Sequence, residues 1–307
     1  MGKIAFVFPG QGAQYVGMGK DFFDESRVAR EVYRCASQAS GLDVEQLCFT
    51  ENDRLNITEY TQIALLATEV AILKVIEDAG FIPDICAGLS LGEYGALAAA
   101  DAMDLADLFA LIRKRGLYMQ EAYPVGGAMT AVLGLDAATI GQICEETEGI
   151  VSIANDNCPG QVVITGEEQA VQAAAERLSA AGAKRCIPLK VSGPFHSALL
   201  AGAGEQLGEA LEQVTVRKPK MPYVCNLEAR LVTDAADIKR LLQQQVSGPV
   251  RFRESIEKMI EEGVDTFVEI GPGKTLTGFI RKTNKDVQVC NVEKWEDLEK
   301  LSALLKG

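Results

Sequence analysis

The residues best suited to covalent chemistry lie at 88–92, which read Gly-Leu-Ser-Leu-Gly and match the pattern G-x-S-x-G. An apolar run at 85–87 precedes the motif, and a helix-forming run at 93–98 follows it. Where a strand turns sharply into a helix, a serine oxygen projects outward and main-chain amides at the helix start face developing negative charge. The pattern therefore predicts a nucleophile at Ser90. The alternative is a glycine-rich turn in which the serine caps a helix.

A serine nucleophile needs a base to accept its proton, and the chain contains a single histidine, His196. This histidine lies in a loop-like segment at 191–197, Val-Ser-Gly-Pro-Phe-His-Ser, and catalytic groups concentrate in loops. A lone histidine is more often a packed core residue with one hydrogen bond. Because the chain also carries the serine motif, we favour a Ser-His pair. A long segment follows His196, so the residue order of an α/β-hydrolase triad fits poorly.

Arg115 is a candidate for binding an anion. It lies on the apolar stripe of a predicted helix over 105–119, together with Leu108, Ile112 and Met119. An inward guanidinium needs a carboxylate, and its planar fork suits bidentate pairing. The sequence leaves open whether that carboxylate belongs to a buried Asp or Glu of the protein or to a ligand.

Composition excludes several classes of protein. The chain has 307 residues, of which 30 are Lys or Arg and 43 are Asp or Glu, so a net charge of −13 argues against a nucleic-acid partner. Eight widely spaced cysteines without a C-x-x-C pair, and one histidine, predict reduced thiols and no metal site. No apolar stretch is long enough to span a membrane, and the apolar run at 4–8 is too short for a secretory signal. We therefore expect a cytoplasmic protein.

The alternation of short apolar runs with longer helical patterns predicts an α/β fold with mostly parallel strands. It includes a strand over 3–8 and a buried helix over 61–79. A β-α-β-β-α-β series, the order of the ferredoxin-like motif, occupies 126–192. Its predicted strands are 128–134, 150–154, 161–165 and 185–191, and its predicted helices are 136–147 and 167–181. We read a large discontinuous domain, 1–125 with 193–307, that carries a small inserted domain over 126–192.

The ordered set of motifs resembles the malonyl-CoA:acyl carrier protein transacylase family, which includes the acyltransferase domains of polyketide and fatty acid synthases. The resemblance covers nearly the whole chain. Its marks are Pro-Gly-Gln-Gly-Ala-Gln at 9–14, Gly-Leu-Ser-Leu-Gly-Glu-Tyr at 88–94, Arg115, Gly-Pro-Phe-His-Ser at 193–197, Gln245 before Pro249-Val250, and Glu-Ile-Gly-Pro-Gly at 269–273. It implies an α/β-hydrolase-like core with a mostly parallel sheet and an inserted ferredoxin-like small domain.

The resemblance also implies a reaction. Ser90 would attack the thioester of malonyl-CoA while His196 takes its proton, and the malonyl-serine would then pass its acyl group to the phosphopantetheine thiol of acyl carrier protein. Main-chain amides of Gln11 and Leu91 would form the oxyanion hole, and Arg115 would hold the malonyl carboxylate. No bound cofactor is implied, and the product would serve fatty acid or polyketide synthesis.

Three further positions match residues of the family's pocket. The main-chain carbonyl of Gln245 would orient His196 in place of a triad carboxylate, and Gln62 would line the pocket. Phe195 resembles the bulky residue of malonyl-selective members, which favours malonyl over methylmalonyl. Leu89 stands where many members have histidine, so this chain departs from the family in the hydrogen bonding next to its nucleophile.

The carrier protein of this family is acidic, so a chain of net charge −13 should repel it at long range. Docking would need a local basic patch, for which Lys184, Arg185, Lys190, Arg113 and Lys114 are the candidates. Two other functions stay open. One is a thioesterase or esterase that releases free acid without a carrier, and the other is an inactive scaffold that binds carrier protein.

Overall fold

The structure, a computed structural model, describes residues 2–191 and 193–306. Ser192, the last residue of the predicted small domain, lies outside the described residues. In chain order the elements are β1 (Lys3–Phe8), α1 (Lys20–Glu25), α2 (Arg27–Ser40), α3 (Val44–Phe49), α4 (Thr58–Asp78), β2 (Ile85–Gly88), α5 (Gly92–Ala99), α6 (Leu105–Ala122), β3 (Gly127–Leu133), α7 (Ala137–Glu145), β4 (Val151–Cys158), β5 (Gln161–Glu167), α8 (Glu168–Ala180), β6 (Arg185–Pro188), a short 3-10 helix (Ala198–Leu200), α9 (Ala201–Glu212), β7 (Tyr223–Val224), β8 (Leu231–Val232), α10 (Ala235–Gln245), α11 (Phe252–Glu261), β9 (Val264–Ile270), α12 (Thr275–Thr283), β10 (Gln288–Val292) and α13 (Asp297–Lys306).

The larger sheet has the strand order β10-β9-β1-β2-β7-β8. Its strands pair in parallel except β8, which is antiparallel to β7. Both faces are covered, because alternate residues of β1 enter two apolar clusters. Phe6 and Phe8 pack in the cluster that contains α4 and α6, whereas Ala5 and Val7 pack in the cluster that contains α11 and α12. Burial on both faces explains the nearly continuous apolar sequence of β1 and β2, and the predicted mostly parallel α/β core is confirmed.

Two helices bring functional residues toward the middle of the large sheet. The predicted helix over 61–79 is α4, which begins three residues earlier and is buried along most of its length. Gly80, just past its end, has φ +87, the left-handed conformation that ends many helices. The predicted helix over 105–119 is α6, and Arg115 lies on its buried side as expected. Of the helices in the described part of the chain, none combines the length and apolar character that crossing a bilayer requires.

The smaller sheet has the order β4-β5-β3-β6, and all of its pairs are antiparallel. Together with α7 and α8 it forms the expected β-α-β-β-α-β series, and the predicted ferredoxin-like unit is confirmed. The last strand, predicted over 185–191, ends at Pro188. Proline has no N–H for a ladder hydrogen bond, and β6 is an edge strand. The domain limits at 126 and 192 stay predictions.

The two sheets are joined through β4. Asn155 forms a parallel bridge with Val250, and main-chain hydrogen bonds run from Asp156 N to Val250 O (2.9 Å) and from Val250 N to Ala154 O (2.7 Å). Arg253 adds an ion pair to Asp156 at 2.9 Å. The segment that follows α10 is therefore held against the small sheet.

Candidate active site

The serine motif forms the expected strand–turn–helix. Strand β2 ends at Gly88 and α5 begins at Gly92, so Ser90 lies at the turn. Ser90 has φ +53, a conformation that costs energy for a non-glycine residue and is often found at functional sites. Glycine is required at 92, because a Cβ there would lie 2.1 Å from the main-chain oxygen of Phe8. The turn thus holds Ser90 in a strained conformation above the end of the sheet.

The serine and the single histidine meet across 106 positions of sequence. Ser90 Oγ lies 2.7 Å from His196 Nε2. The other ring nitrogen, Nδ1, lies 2.9 Å from the carbonyl oxygen of Gln245 and 3.2 Å from that of Gly248. Carbonyl oxygens only accept, so Nδ1 carries the proton and Nε2 is free to accept the serine proton. The histidine is therefore oriented by two main-chain carbonyls.

His196 is held in its neutral form. Its pKa is lowered from 6.5 to about 4, chiefly by burial and then by the nearby positive charge of Arg115. Hydrogen bonds to the carbonyls of Gln245 and Gly248 act in the opposite direction and only partly offset this effect. At neutral pH the imidazole is unprotonated, as a general base must be.

Arg115 lies beside this pair and is 1% exposed. Its guanidinium donates to Gln62 Oε1 at 2.7 Å, to Gln245 Oε1 at 3.0 Å and to Ser90 Oγ at 3.2 Å. These partners are neutral, and among the ion pairs of the described residues none involves Arg115. Burial lowers its pKa, while the negative charge of the nearby Glu93 raises it. A buried cation with neutral partners is well suited to receive an anionic group.

A cavity of about 240 Å³ opens above Ser90. The predicted residues that line it are Gln11, Gln62, Ser90, Leu91, Arg115, Phe195 and His196. Gln245 lies behind them and reaches the cavity residues through its hydrogen bonds to His196 and Arg115. The small sheet supplies the opposite wall, with Met129, Ala131, Asn155, Asn157, Gln161 and Val163. The site is thus formed between the two sheets, and its small-sheet wall was not expected from the sequence.

The loop after β1 lies directly against the serine turn. A Cβ on Gly10 would lie 2.6 Å from the main-chain oxygen of Leu89, so the two loops are in close contact. Both Gln11 and Leu91 line the cavity, and within residues 2–191 and 193–306 neither main-chain N–H has a hydrogen-bond partner. The side chain of Gln11 donates to Thr58 Oγ1 at 3.1 Å. The cavity therefore contains two main-chain donors available to a ligand.

Sequence reasoning missed a polar network behind the serine. Asn226 Oδ1 accepts from Ser90 N at 2.6 Å, and its Nδ2 donates to Gly88 O at 2.6 Å. Glu93 Oε2 accepts from Asn226 N at 3.0 Å and from Gln245 Nε2 at 2.8 Å. Burial raises the pKa of Glu93 to about 7, although these two hydrogen bonds lower it. The sequence could have pointed to Glu93, because it is the one charged residue in the apolar stretch 85–100. Nothing in the sequence around Asn226 pointed to its role.

The candidate basic residues differ in how free they are. Arg113 is half-buried and paired with Glu59 at 2.8 Å, whereas Lys114 is exposed. Arg113 is therefore already occupied within the protein.

Three further basic residues lie just before β6, within it and just after it. Lys184, Arg185 and Lys190 are all exposed. Lys190 stands between Leu189 and Val191, which both line the cavity, although Lys190 itself does not line it. Lys190 is thus the exposed candidate that lies next to cavity-lining residues in the chain.

The comparisons with known proteins agree with this geometry. Residues 5–297 match the acyl transferase domain family. The chain is 44% identical over 311 residues to the malonyl CoA-acyl carrier protein transacylase of Bacillus subtilis (strain 168), covering 100% of this chain and 98% of that protein. The crystal structure of the malonyl CoA-acyl carrier protein transacylase from Clostridium perfringens ATCC 13124 is similar with a TM-score of 0.96 and 45% identity, covering 99% of this chain and 97% of that one.

A malonyl-transacylase solved in complex with its type II PKS acyl-carrier protein is also similar, with a TM-score of 0.95 and 40% identity over 99% of this chain and 100% of that one. The full-length matches confirm the resemblance found in the sequence motifs. This chain belongs to the malonyl CoA-acyl carrier protein transacylase family of acyl transferases.

Proposed function

We propose that this protein moves a malonyl group from malonyl-CoA to the phosphopantetheine thiol of acyl carrier protein through a malonyl-Ser90 intermediate. The observation that supports this function best is the pair of groups that contact the side-chain oxygen of Ser90. Ser90 Oγ lies 2.7 Å from the unprotonated nitrogen of His196 and 3.2 Å from a guanidinium nitrogen of Arg115. A nucleophile, its base and a buried cation therefore meet in one cavity.

In the first half-reaction the malonyl carboxylate pairs with Arg115, which brings the thioester carbonyl to Ser90. Ser90 Oγ forms a bond to the carbonyl carbon as its proton passes to His196 Nε2. The negative carbonyl oxygen is stabilised by the main-chain N–H groups of Gln11 and Leu91. The C–S bond then breaks, and the departing coenzyme A sulfur takes the proton from His196.

The second half-reaction reverses these steps with a different thiol. The phosphopantetheine thiol of the carrier gives its proton to His196, and its sulfur attacks the malonyl-serine carbonyl. The C–O bond breaks, Ser90 regains the proton and malonyl-carrier leaves. In each half-reaction His196 takes the proton of the attacking group and gives it to the leaving group, and we propose that no bound cofactor takes part.

Substrate choice depends on the acyl end of the cavity. Gln62 accepts a hydrogen bond from Arg115 and so fixes the direction of its guanidinium. Phe195 lines the same cavity and is almost fully buried. We propose that Arg115 excludes acyl groups without a carboxylate and that the bulk of Phe195 favours malonyl over methylmalonyl.

The carrier would dock at the cavity rim, where Lys190 is exposed beside two lining residues. Lys184, Arg185 and Lys114 are the other exposed candidates, while Arg113 is engaged with Glu59. We propose that the product enters fatty acid synthesis or polyketide synthesis. The cytoplasmic location stays a prediction from the sequence.

The test is intact-protein mass spectrometry after brief incubation with malonyl-CoA, followed by addition of acyl carrier protein. We expect a malonyl-sized mass gain on the wild type that moves to the carrier, and no gain on the Ser90→Ala variant. A gain that decays to free malonate at the same rate with or without carrier would support a hydrolase instead. Equal background transfer by wild type and Ser90→Ala would support the scaffold.

A further inference from the structure

Three buried polar side chains form a connected network behind the serine turn. They come from three elements: Glu93 from α5, Asn226 from the segment after β7, and Gln245 from the end of α10. Each is 1% exposed or less. Burying this many polar groups is costly unless they are satisfied, so their pairing is specific.

Asn226 holds the turn on both sides of the nucleophile. Its side chain accepts from the N–H of Ser90 and donates to the carbonyl of Gly88, both at 2.6 Å. Ser90 has φ +53, and a strained conformation persists only when its surroundings determine it. The asparagine therefore supplies restraint at the residue where the strain lies.

Glu93 fixes the orientation of the Gln245 amide. Gln245 Nε2 donates to Glu93 Oε2 at 2.8 Å and to the carbonyl of Ser90 at 3.0 Å, which leaves its Oε1 facing Arg115 at 3.0 Å. In the flipped amide, Oε1 would face two acceptors and Nε2 would face a guanidinium donor. The carboxylate thus ensures that Arg115 meets an acceptor.

The same carboxylate also fixes the backbone that carries the asparagine. Glu93 Oε2 accepts from Asn226 N at 3.0 Å, so Glu93 is connected to both arms of the network. Its other oxygen, Oε1, is buried and has no hydrogen-bond partner among the described residues. One carboxylate oxygen therefore connects Asn226, which holds the nucleophile, with Gln245, which contacts both Arg115 and His196.

We propose that Glu93 is a positioning residue for malonyl transfer, which through Gln245 and Asn226 holds the turn of Ser90 and the guanidinium of Arg115 in the geometry that selects a malonyl group. This role rests on the proposed function. It assigns no contact between Glu93 and the substrate.

Four titratable groups interact electrostatically with the carboxyl of Glu93. They are Arg115, Tyr94, Tyr223 and Cys225. Burial raises the pKa of both tyrosines and of the cysteine, which leaves Arg115 as the charged member of this group at neutral pH.

Burial raises the pKa of Glu93 itself to about 7, against the opposing effect of its hydrogen bonds and of Arg115. Protonation weakens it as an acceptor, so acylation should fall as the pH drops through this range. His196, with a pKa of about 4, does not titrate there.

The test compares wild type with the isosteric Glu93→Gln variant, using kcat/KM for malonyl-CoA and for acetyl-CoA between about pH 5.5 and 8.5. We expect Glu93→Gln to lose roughly 10-fold or more with malonyl-CoA, to lose less with acetyl-CoA, and to lack the fall in activity near pH 7. The matched control is Glu69→Gln, which replaces another fully buried helical glutamate outside this network and should keep wild-type kinetics.

A second variant, Gln245→Met, breaks the same connection from the other side while keeping the main-chain carbonyl that orients His196. If Glu93 acts through Gln245, the double variant loses no more malonyl preference than either single variant does. Unchanged kinetics and pH profile in Glu93→Gln, an equal loss with both thioesters, or additive losses in the double variant would each overturn the positioning role. Absence of Ser90-dependent transfer by the wild type would instead contradict the proposed function itself.

Discussion

Arg115 is a buried cation whose hydrogen-bond partners are neutral oxygens of Gln62, Gln245 and Ser90. A single carboxylate delivered to this site would gain a charge-assisted, bidentate pair with a guanidinium that is only 1% exposed. A substrate without the carboxylate would leave the guanidinium buried and unpaired. The residue is therefore suited to select by the presence of charge.

Replacing Arg115 with methionine should reduce kcat/KM for malonyl-CoA by roughly 100-fold or more, because breaking a buried charge pair typically costs about 3–5 kcal/mol. Acetyl-CoA, which has no carboxylate to pair, should change much less. Steady-state kinetics with both thioesters measure the effect, and Arg113→Met, in the same helix and paired with Glu59, is the matched control. A malonyl preference that survives in Arg115→Met would show that another group binds the carboxylate.

Because the protein has a single histidine, the pKa of His196 can be measured directly. Burial and then the charge of Arg115 lower the pKa of His196 to about 4, so the imidazole proton signal in an NMR titration should shift near that pH. In Arg115→Met the repulsive charge is gone, and the pKa should rise toward the ordinary 6.5 while burial still holds it below that value. An unchanged titration in the variant would mean that Arg115 does not act on the imidazole.

At the scale of elements, α4 carries a second buried acid, Glu69, outside the serine motif. Both carboxylate oxygens of Glu69 are buried and lack a hydrogen-bond partner among the described residues. Burial raises its pKa well above the ordinary value of 4.5, and the carboxyl of Glu269 raises it further. Both effects favour the neutral carboxyl of Glu69 in the folded protein, where α4 packs against the turn at Gly271.

This raised pKa gives a signed dependence of stability on pH. Above pH 4.5 the unfolded chain releases the proton that the folded protein keeps, so stability falls as the pH rises, by up to about 1.4 kcal/mol per pH unit. Glutamine does not titrate, so Glu69→Gln removes this loss of stability. The free energy of unfolding of the variant, relative to the wild type, should therefore increase between about pH 5 and pH 8. Urea unfolding at several pH values measures it, with the exposed Glu205→Gln as control. A gain that is independent of pH would mean that Glu69 is ionised in the fold.

The sequence predicted the features that depend on neighbouring residues and missed those that depend on long-range contacts. Apolar periodicity predicted α4 as a buried helix and placed Arg115 on the buried stripe of α6, because both signals are local. Ser90 was predictable because its strand–turn–helix context lies within a few residues. Asn226 was not, because its contact with Ser90 crosses 136 positions and arises only when β7 pairs with β2. The end of β6 was misjudged because apolar residues continue to Val191, whereas Pro188 has no N–H for the ladder.

At the scale of the molecule, the cavity exists because the small sheet faces the end of the large one. The sequence predicted both units but not their contact, which the bridge between Asn155 and Val250 makes. Val250 follows closely after Gln245 and Gly248, whose carbonyls orient His196. The strand that supplies the wall of the cavity is therefore bonded to the segment that holds the base.

Net charge sets the last constraint on function. A chain of charge −13 repels an acidic carrier at long range, so productive docking depends on local positive charge near the cavity. Of the basic residues proposed from the sequence, Lys190 is the one whose chain neighbours, Leu189 and Val191, both line the cavity. Reversing its charge should therefore weaken the carrier half-reaction more than the coenzyme A half-reaction.

We expect Lys190→Glu to raise the KM for acyl carrier protein roughly 10-fold, because a like charge at the rim repels the acidic partner. Added salt should narrow the difference from wild type, since screening weakens exposed charges. Rapid-quench measurement of malonyl-Ser90 formation separates the first half-reaction. Lys218→Glu controls for the change in net charge, because Lys218 is exposed and its chain neighbours do not line the cavity. If Lys190→Glu slowed both half-reactions equally, Lys190 would be assigned to binding coenzyme A. If Lys218→Glu raised the KM for acyl carrier protein as much as Lys190→Glu does, the change in net charge alone would be the cause.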